Sequence, residues 1–538
     1  MATKSYYIGN NKANEVALLN SNDLIVVRNH EKVNEDFVKN QITSVFSHFP
    51  INYKCLSYFP ESNVYVFKFL SKNTNNPISK ELRDEILTAL KRKTNVLKYA
   101  GKSLKLKNAN IYQIYTENLF LKFRNDAKER HIKSVLKKFK LFEKRKLKFC
   151  TNGYFVESAN GIGQDVFDQS IEILNLNEVN LCHPETVVKR KGLKQNFNAF
   201  YTNKKFDGVW ARDKVKADVA WKNSTGKDIN ICIIDDGIDF DHPVFKNKIK
   251  RSKDMHNEKK DAYHKFDEEK HGTACASIAA GNDENFKGIA PDSNIIPIRT
   301  KSLGSVLEAD AFYWAALQNA DIISCSWGPP DGSIYKDNDD KIEYPIPDHT
   351  RLAIDYAATK GRNGKGCIIV FAAGNGKEPI EYDGYASHKN VISVGAANKI
   401  DLPTVYSDYG SPIFCVFPSG DFTIESKNKI SRAYGLRVAD RIGQKGYVDG
   451  DYFDVFQGTS ASSPGVAGIT ALVLSVNPNL SSKQVKSILK NSCETIGNQK
   501  NYKNKGGYPY SELYGYGMLR ADLAVENTIK YTNIQNQK

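Results

Sequence analysis

The segment Ile231-Cys-Ile-Ile-Asp-Asp-Gly237 opens with four apolar, mostly β-branched residues and ends with two carboxylates and a glycine. A short apolar run that stops at a turn signal predicts a fully buried strand. Asp235 then stands at the carboxyl end of this strand, where ligand and reaction sites gather in parallel α/β sheets. The segment therefore predicts a parallel sheet with a reactive carboxylate at its edge.

Similar apolar runs recur along the second half of the chain. They are Ile322–Cys325, Ile368–Phe371 and Val391–Val394, and helical segments separate them. Short β-branched runs of this kind are typical of a parallel sheet that is covered on both faces. We therefore expect an α/β fold, a mostly parallel sheet with helices on both faces.

Two more reactive side chains stand where helices are predicted to begin. One opens His271-Gly-Thr-Ala-Cys-Ala-Ser-Ile-Ala-Ala280, whose small residues allow a helix to pack closely on a sheet. The other is Ser460 in Gly458-Thr-Ser-Ala-Ser-Ser-Pro464, which precedes a long apolar helix. A serine at a helix amino terminus has its developing oxyanion near backbone N–H groups. A nucleophilic serine also needs a base and a carboxylate that orients the base, and His271 and Asp235 are of the right types.

These three segments resemble the signatures of the subtilisin-like serine proteases, in that family's chain order of Asp, His and Ser. Two further motifs are similar to the kexin- and furin-like branch, which cleaves after basic residues. They are Ser324-Cys-Ser-Trp-Gly-Pro329 and, soon after Ala373-Gly-Asn-Gly376, Tyr382-Asp-Gly-Tyr385. The resemblance covers about residues 205–530 and implies a subtilisin-like peptidase domain that acts as a serine endopeptidase.

The resemblance implies four catalytic roles. Ser460 is expected to be the nucleophile, His271 the general base and then acid, and Asp235 the orienting carboxylate. Asn375 resembles the side-chain donor of the oxyanion hole, a contact worth about 3 kcal/mol in such enzymes.

The resemblance also implies a substrate pocket for a basic side chain. The backbone of Ser326, Trp327 and Gly328 is expected to pair with extended substrate as an added strand. Asp383 resembles the carboxylate that meets the substrate cation, and a carboxylate favours the fork of Arg over Lys. Asp331 resembles a second pocket acid. Asp236 is predicted either to bind a second basic side chain or to form an Asx turn before the following glycine.

A calcium ion is expected beneath this pocket. Its implied ligands are Asp331, Glu378 and Asp408, since calcium prefers hard carboxylate oxygens. Glu381 is a rival for the place of Glu378, because the loop from Asn375 to Asp383 is shorter than usual. The alternative interpretation is that these carboxylates only keep the surface soluble.

Some positions depart from the family pattern. Val244 stands where the family commonly has a calcium-binding Asp, so the first calcium site of the family is in doubt, although the loop Gly281–Gly288 could still hold an ion. Asp267, Glu268 and Glu269 could bind a basic residue upstream of the cleavage site or form a solvated approach to the helix. The β-sandwich that follows the catalytic domain in eukaryotic kexins is expected to be absent.

The first half of the chain predicts two small α+β units, at residues 1–110 and 111–190. Each follows the order β-α-β-β-α-β of a ferredoxin-like fold. Subtilisin-like proteases are usually synthesised with an amino-terminal α+β prodomain that inhibits the active site, and we expect the unit at 111–190 to have this role. Residues 191–204 are predicted to be a basic linker, in which self-processing is expected, and residues 531–538 a tail.

Charge separates the two halves. Residues 1–200 carry 33 Lys and Arg against 19 Asp and Glu, whereas the rest carries 43 against 42. A basic cluster at Lys128–Lys148 suggests nucleic-acid binding as an alternative function. However, no aromatic RNA-binding motif accompanies the cluster, and such a run of charges is more often a solvated face. A second functional class is an adaptor that binds partners through its basic front units and keeps the protease fold as a scaffold.

The remaining features bear on the compartment. The nine cysteines are scattered and form no Cys-x-x-Cys pair, which fits a reducing environment. No run approaches the ~18 apolar residues that a membrane helix needs, and the first ten residues lack a secretory pattern. We expect a cytoplasmic enzyme that contacts no membrane, with basic peptides, protein substrates and its own prodomain as partners.

Overall fold

The computed structural model has two compact units. The structure describes residues 3–9, 14–30, 34–59, 63–107, 111–161, 163–189, 209–257, 261–300, 302–332, 334, 343–426 and 429–537. The first unit comprises Met1–Lys189 with Ser302–Val306 and Pro347–His349, and the second comprises the rest of the chain. The predicted linker at 191–204 lies outside the described residues.

The elements of the front segment alternate between strands and helices. Their bounds are β1 Thr3–Ile8, β2 Asn14–Asn29, α1 Glu35–Phe46, β3 Ile51–Phe59, β4 Val64–Ser71, α2 Lys80–Lys91, β5 Leu97–Leu106, β6 Tyr112–Phe123, α3 Glu129–Lys138, β7 Leu141–Leu147, β8 Gly153–Ser158, α4 Asp165–Leu174 and β9 Val179–Lys189.

The elements of the remaining chain continue this numbering. Their bounds are α5 Trp210–Lys214, α6 Ala217–Ala220, β10 Asn230–Asp235, β11 Lys253–Asp254, α7 His271–Ala280, β12 Asn294–Arg299, β13 Ser302–Leu303, α8 Val306–Leu317, β14 Ile322–Cys325, α9 Asp348–Lys360, β15 Ile368–Ala372, β16 Val391–Ala397, β17 Ile413–Pro418, β18 Asp421–Ser426, β19 Lys429–Tyr434, β20 Leu436–Ala439, β21 Tyr452–Phe456, α10 Thr459–Val476, α11 Ser482–Asn491, β22 Cys493–Glu494, β23 Lys503–Lys505, β24 Tyr508–Tyr510, β25 Met518–Leu519 and α12 Ala521–Asn536. The last helix thus reaches into the segment that was predicted to be a tail.

The first unit contains the same strand order twice. The strands of its first half lie in the order β5-β2-β4-β3, and those of its second half lie in the order β9-β6-β8-β7. Both are the arrangement of a β-α-β-β-α-β unit. β5 pairs with β6, so the two halves share one ten-stranded sheet, to which β1 and β13 add at β2 and β9.

Two sequence predictions in this unit were wrong about strand limits. The sequence predicts a strand at Leu147–Cys150, but the structure has this strand earlier, as β7 at Leu141–Leu147. Only its two leucine ends are buried, so the charged residues between them hide the strand pattern. The sequence also predicts a basic, polar connector that starts at Pro184, but the chain from there to Lys189 still belongs to β9. The strand tolerates this proline because its pairing with β6 shifts register there.

A nine-stranded sheet forms the centre of the second unit, in the order β11-β12-β10-β14-β15-β16-β17-β25-β22. β10 pairs in parallel with β12 on one side and with β14 on the other. The chain therefore crosses from one side of β10 to the other after β12. Ligands bind at such switch points, outside the carboxyl ends of the strands.

Two helices pack against each other beside this sheet. Gly468 of α10 lies so close to α7 that a Cβ there would be 2.9 Å from the carbonyl oxygen of Ala279. Among the described helices, α10 alone has the length and hydropathy of a membrane span, and 89% of it is buried inside the protein. Such burial is typical of the core helix of a globular domain.

Candidate active site

A buried carboxylate and an imidazole meet where β10 ends and α7 begins. His271 is the first residue of α7, and its Nδ1 donates to Asp235 Oδ1 at 3.0 Å, with Oδ2 at 3.1 Å. Their side chains are 13% and 7% exposed. Burial lowers the pKa of His271, but the Asp235 carboxylate raises it by a larger amount, so that the pKa lies well above 6.5. Because Nδ1 is bound to Asp235, Nε2 is the ring nitrogen left for reaction with another group.

Ser460 lies at the second position of α10, beside this pair. Its Oγ donates to the carbonyl oxygen of Ser326 at 3.0 Å, and Ser326 Oγ donates back to the carbonyl oxygen of Ser460 at 3.0 Å. The described residues show no hydrogen bond between Ser460 Oγ and His271. Because Ser460 Oγ is on a freely rotating bond, one change of rotamer would redirect its proton.

Asn375 is held by the residue that precedes Ser460. The Oδ1 atom of Asn375 accepts from the backbone N–H and the hydroxyl of Thr459, at 2.8 and 3.2 Å. This orientation leaves the NH2 group of Asn375 as the free donor. The Ser460 N–H belongs to the first turn of α10 and has no partner within the helix. Thr459 was missed as an anchor in the sequence, although its hydroxyl precedes the candidate nucleophile.

A buried carboxylate lies behind the Ser-Trp-Gly motif. Asp383 Oδ1 accepts from the backbone N–H of Tyr385 and Ala386, at 2.7 and 3.2 Å. Its Oδ2 faces Gly328, where an added Cβ would lie 2.9 Å away. Trp327 fixes the motif by donating from Nε1 to the carbonyl oxygen of Ile234 at 2.6 Å. Burial, with the nearby acids, raises the pKa of Asp383 to about 7.

Three more carboxylates lie close together. Oxygen atoms of Asp331, Glu378 and Asp408 lie within 4.8 Å of one another. Asp408 Oδ1 accepts from the backbone N–H of Gly376 and Glu378, and Glu378 Oε1 accepts from that of Gly332. Burial, and then the other carboxylates, raise the pKa of Asp408 well above its usual range and that of Glu378 to about 7.

These residues fit a calcium ion. All the side-chain ligands are hard carboxylate oxygens, which is the donor set that calcium prefers. Gly374 keeps the space open, because a Cβ there would clash with Asp408 and lie 3.1 Å from Asp331 Oδ1. Its φ of +114° is also one that other residues rarely adopt.

The structure separates the two rival ligands. Glu381 is exposed and accepts from the backbone N–H and hydroxyl of Ser411, at 2.8 and 2.9 Å. It is therefore not part of the carboxylate group that contains Glu378. In the described chain this group and the set Asp235, His271 and Cys275 are the two clusters whose side chains could hold a metal.

The other doubtful positions have structural partners. Val244 is buried, and in the loop Gly281–Gly288 the carboxylate of Asp283 accepts from the backbone N–H of Asn285 and Phe286. Glu269 is 1% exposed and forms an ion pair with the buried Arg299, so it is neither solvated nor turned to substrate.

The carboxylate of Asp236 binds the start of α7 rather than forming the Asx turn that was one of its two predicted roles. Its Oδ2 accepts from the backbone N–H of Lys270 and of His271, each at 3.2 Å. Its Oδ1 accepts from that of Gly272 at 2.8 Å. The side chain thus caps the amino terminus of α7, a tertiary contact that the local sequence does not reveal.

Comparisons with known proteins identify the family of this chain. Residues 226–517 match the model of the subtilase family, Peptidase S8. The chain is 42% identical over 432 residues to a calcium-dependent protease of Trichormus variabilis, which covers 77% of this chain and 63% of that protein. It is 30% identical over 343 residues to human proprotein convertase subtilisin/kexin type 6, covering 61% of this chain and 33% of that one. The chain thus spans less than two thirds of the length of these curated relatives.

A solved structure shows the same fold. Fervidolysin from Fervidobacterium pennivorans, a keratinolytic enzyme related to subtilisin, superposes with a TM-score of 0.54 at 19% identity and covers 77% of this chain and 61% of that one. The predicted α/β fold is therefore confirmed. Since the matched segment spans more than half of the sequence and contains Asp235, His271 and Ser460, the chain belongs to the subtilase family.

Proposed function

We propose that this protein is a calcium-dependent serine endopeptidase that cleaves peptide bonds after basic residues, Arg in preference to Lys. The observation that carries the proposal is the hydrogen bond from His271 to Asp235 beside a helix-terminal Ser460. A carboxylate, an imidazole and a hydroxyl in this arrangement are the parts of a nucleophilic triad.

The reaction begins when Ser460 Oγ turns from the carbonyl oxygen of Ser326 toward Nε2 of His271. His271 takes the hydroxyl proton as Oγ attacks the scissile carbonyl carbon, and Asp235 stabilises the imidazolium that forms. The Asn375 amide and the Ser460 N–H donate to the oxyanion. His271 then gives its proton to the leaving amine, and a water molecule repeats the sequence on the acyl-enzyme.

Selectivity for a basic side chain is supported by the carboxylate of Asp383. Gly328 opens the space in front of its Oδ2, while Oδ1 stays bound to two backbone N–H groups. A cation entering there would form a charge-assisted pair in a partly dry pocket, and the guanidinium fork of Arg matches a carboxylate best. Ser326, Trp327 and Gly328 would pair with the extended peptide.

Asp331, Glu378 and Asp408 are the residues that would hold the calcium. Bound calcium would neutralise the mutual repulsion of these acids and would favour the ionised form of Asp383. The name of the Trichormus variabilis relative, a calcium-dependent protease, supports a role for calcium.

Three further parts of the proposal concern control and place. The unit at residues 111–190 would act as an inhibitory prodomain, because its β-α-β-β-α-β order is that of the family's prodomains. Self-processing would fall between Arg190 and Lys204, outside the described residues. The nine cysteines are scattered along the chain without a Cys-x-x-Cys pair, which supports a reducing compartment such as the cytoplasm.

The test is cleavage of fluorogenic peptides that end in Arg, Lys or Leu, with calcium and with a chelator. We expect cleavage after Arg that needs calcium and is absent in Ser460→Ala. If the wild type, also after trimming before residue 209, cuts none of the peptides, the proposal is wrong and the adaptor function takes its place.

A further inference from the structure

We infer that Asp236 is a positioning residue for the reaction: its carboxylate holds the backbone of the first turn of α7, and with it His271, in place. The inference deepens the proposed function and rests on it. It assigns to Asp236 a role different from binding a second basic side chain of the substrate.

The first turn of α7 takes its cap from a neighbouring strand end. Lys270, at the N-cap position, makes no capping bond with its side chain, and the first turn contains no acid. The first four N–H groups of a helix have no partner within it. Asp236 accepts from three such consecutive N–H groups, those of Lys270, His271 and Gly272. A carboxylate at this end is also stabilised by the helix dipole.

The start of α7 lies so close to the end of β10 that a residue larger than glycine would not fit at position 272. A Cβ added at Gly272 would lie 3.0 Å from Asp235 Cβ and 3.2 Å from Asp236 Oδ1, and it would clash with the carbonyl oxygen of Gly237. The glycine after His271 therefore permits the bond from its N–H to Asp236. This explains a residue of the motif that has no chemical role of its own.

One dipeptide consequently holds His271 at two points. Asp235 binds the imidazole Nδ1, whereas Asp236 binds the backbone N–H of the same residue. The two acids are fixed relative to each other, because the Asp236 N–H donates to Asp235 Oδ1 at 2.8 Å. A shift of about 1 Å in a catalytic group can cost about 100-fold in rate, so the backbone handle bears directly on catalysis.

Both oxygens of Asp236 are engaged in these bonds. A substrate ammonium would share a carboxylate that already accepts three hydrogen bonds. Loss of the carboxylate should therefore affect every substrate through His271, rather than only those with a basic residue before the cleaved one.

The first experiment compares two peptides ending in Arg, one with Lys and one with Ala at the preceding position. In Asp236→Asn, which keeps the size and one acceptor oxygen, we expect kcat to fall at least about tenfold on both peptides while KM changes less than twofold. The ratio of kcat/KM between the peptides should stay as in the wild type. A loss confined to the Lys peptide, expressed in KM, would overturn the inference.

A second experiment does not need activity. In the Ser460→Ala background, hydrogen exchange of the amides of residues 270–272 is compared with and without Asp236→Asn and Asp236→Ala. We expect exchange to become at least about tenfold faster, more in Ala than in Asn, and to be unchanged in the control Asp267→Asn, which removes an exposed carboxylate nearby. Unchanged exchange in both Asp236 variants refutes the cap even if the protein proves to be an active protease, and faster exchange supports it even if no peptide is cleaved.

Discussion

The Oδ1 atom of Asn375 accepts a hydrogen bond of 2.8 Å from the backbone N–H of Thr459, the residue before Ser460. A second bond comes from the Thr459 hydroxyl, which is also 3.1 Å from the Gly374 carbonyl oxygen. The start of α10 thus decides which end of the Asn375 amide is held by Thr459. In the proposed mechanism, the oxyanion donor and the nucleophile are therefore positioned by the same helical turn.

Asn375→Ala should lower kcat by about 100- to 1,000-fold and leave KM nearly unchanged, because the lost bond is made mainly to the oxyanion. Steady-state kinetics on an Arg-ending peptide measure this. Thr459→Val removes the hydroxyl bonds but keeps the backbone bond, so a smaller loss of kcat is expected. A rise in KM with kcat unchanged in Asn375→Ala would instead mean that Asn375 contributes to ground-state binding.

The pH dependence should follow His271. As general base the imidazole must be neutral, so the rate falls as pH drops through its pKa. Burial alone would lower this pKa, but the Asp235 carboxylate raises it well above 6.5 overall. We therefore expect the acid limb of the kcat/KM profile above pH 6.5.

Asp235→Asn is the matched change for this profile. It removes the charge that raises the pKa of His271, so the acid limb should move to lower pH. The corresponding change in a known triad lowers kcat about 10⁴-fold, and a loss of that order is expected here. An acid limb that stays in place would assign the titration to a group other than His271.

The candidate site was predictable where function coincides with an element boundary. Asp235 follows an apolar run, and His271 and Ser460 begin helices of small and apolar residues, so local pattern and chemistry point to the same positions. The family resemblance added the grouping of Asp331, Glu378 and Asp408, which no local pattern indicates.

Other contacts depend on tertiary structure and could not be predicted. Glu378 and Glu381 lie in one short loop, and only the path of that loop turns one inward and the other toward Ser411. Asp236 caps a helix that begins 35 residues later in the chain. In the front unit, the charged middle of β7 gives no alternation from which a strand could be recognised.

Asp383→Asn should remove the preference for a basic side chain. The amide keeps an oxygen for the N–H groups of Tyr385 and Ala386 but carries no charge. Breaking a buried charge pair costs about 2–5 kcal/mol, so kcat/KM for the Arg peptide should fall at least about 30-fold. The Leu peptide, which does not use the charge, serves as the internal control. An unchanged ratio of Arg to Leu cleavage would exclude Asp383 as the selectivity residue.

Gly328→Ala tests the same pocket from its other side. The added methyl group would lie 2.9 Å from Oδ2 of Asp383, in the space through which a substrate side chain would reach that atom. Cleavage of the Arg peptide should fall through a higher KM, since the side chain of the substrate is obstructed. The triad is untouched, so labelling of Ser460 by a small fluorophosphonate should continue.

Calcium should stabilise the folded protein through Asp331, Glu378 and Asp408. A ligand at 100 times its Kd adds about 2.7 kcal/mol to the free energy of unfolding. We therefore expect Tm to rise when calcium replaces a chelator. Asp408→Asn should abolish this rise without lowering Tm in chelator, because it removes one of three carboxylates that repel one another.

Glu381→Gln is the control for that experiment, since Glu381 is the neighbouring acid that binds Ser411 rather than the cluster. It should retain the full calcium-dependent rise in Tm and the same calcium affinity by calorimetry. If Glu381→Gln loses calcium binding and Asp408→Asn keeps it, the ion is held by other residues. If Asp408→Asn alone loses calcium binding and also cleaves more weakly after Arg, the ion supports the substrate pocket. The reason is that the bound positive charge favours the ionised form of Asp383.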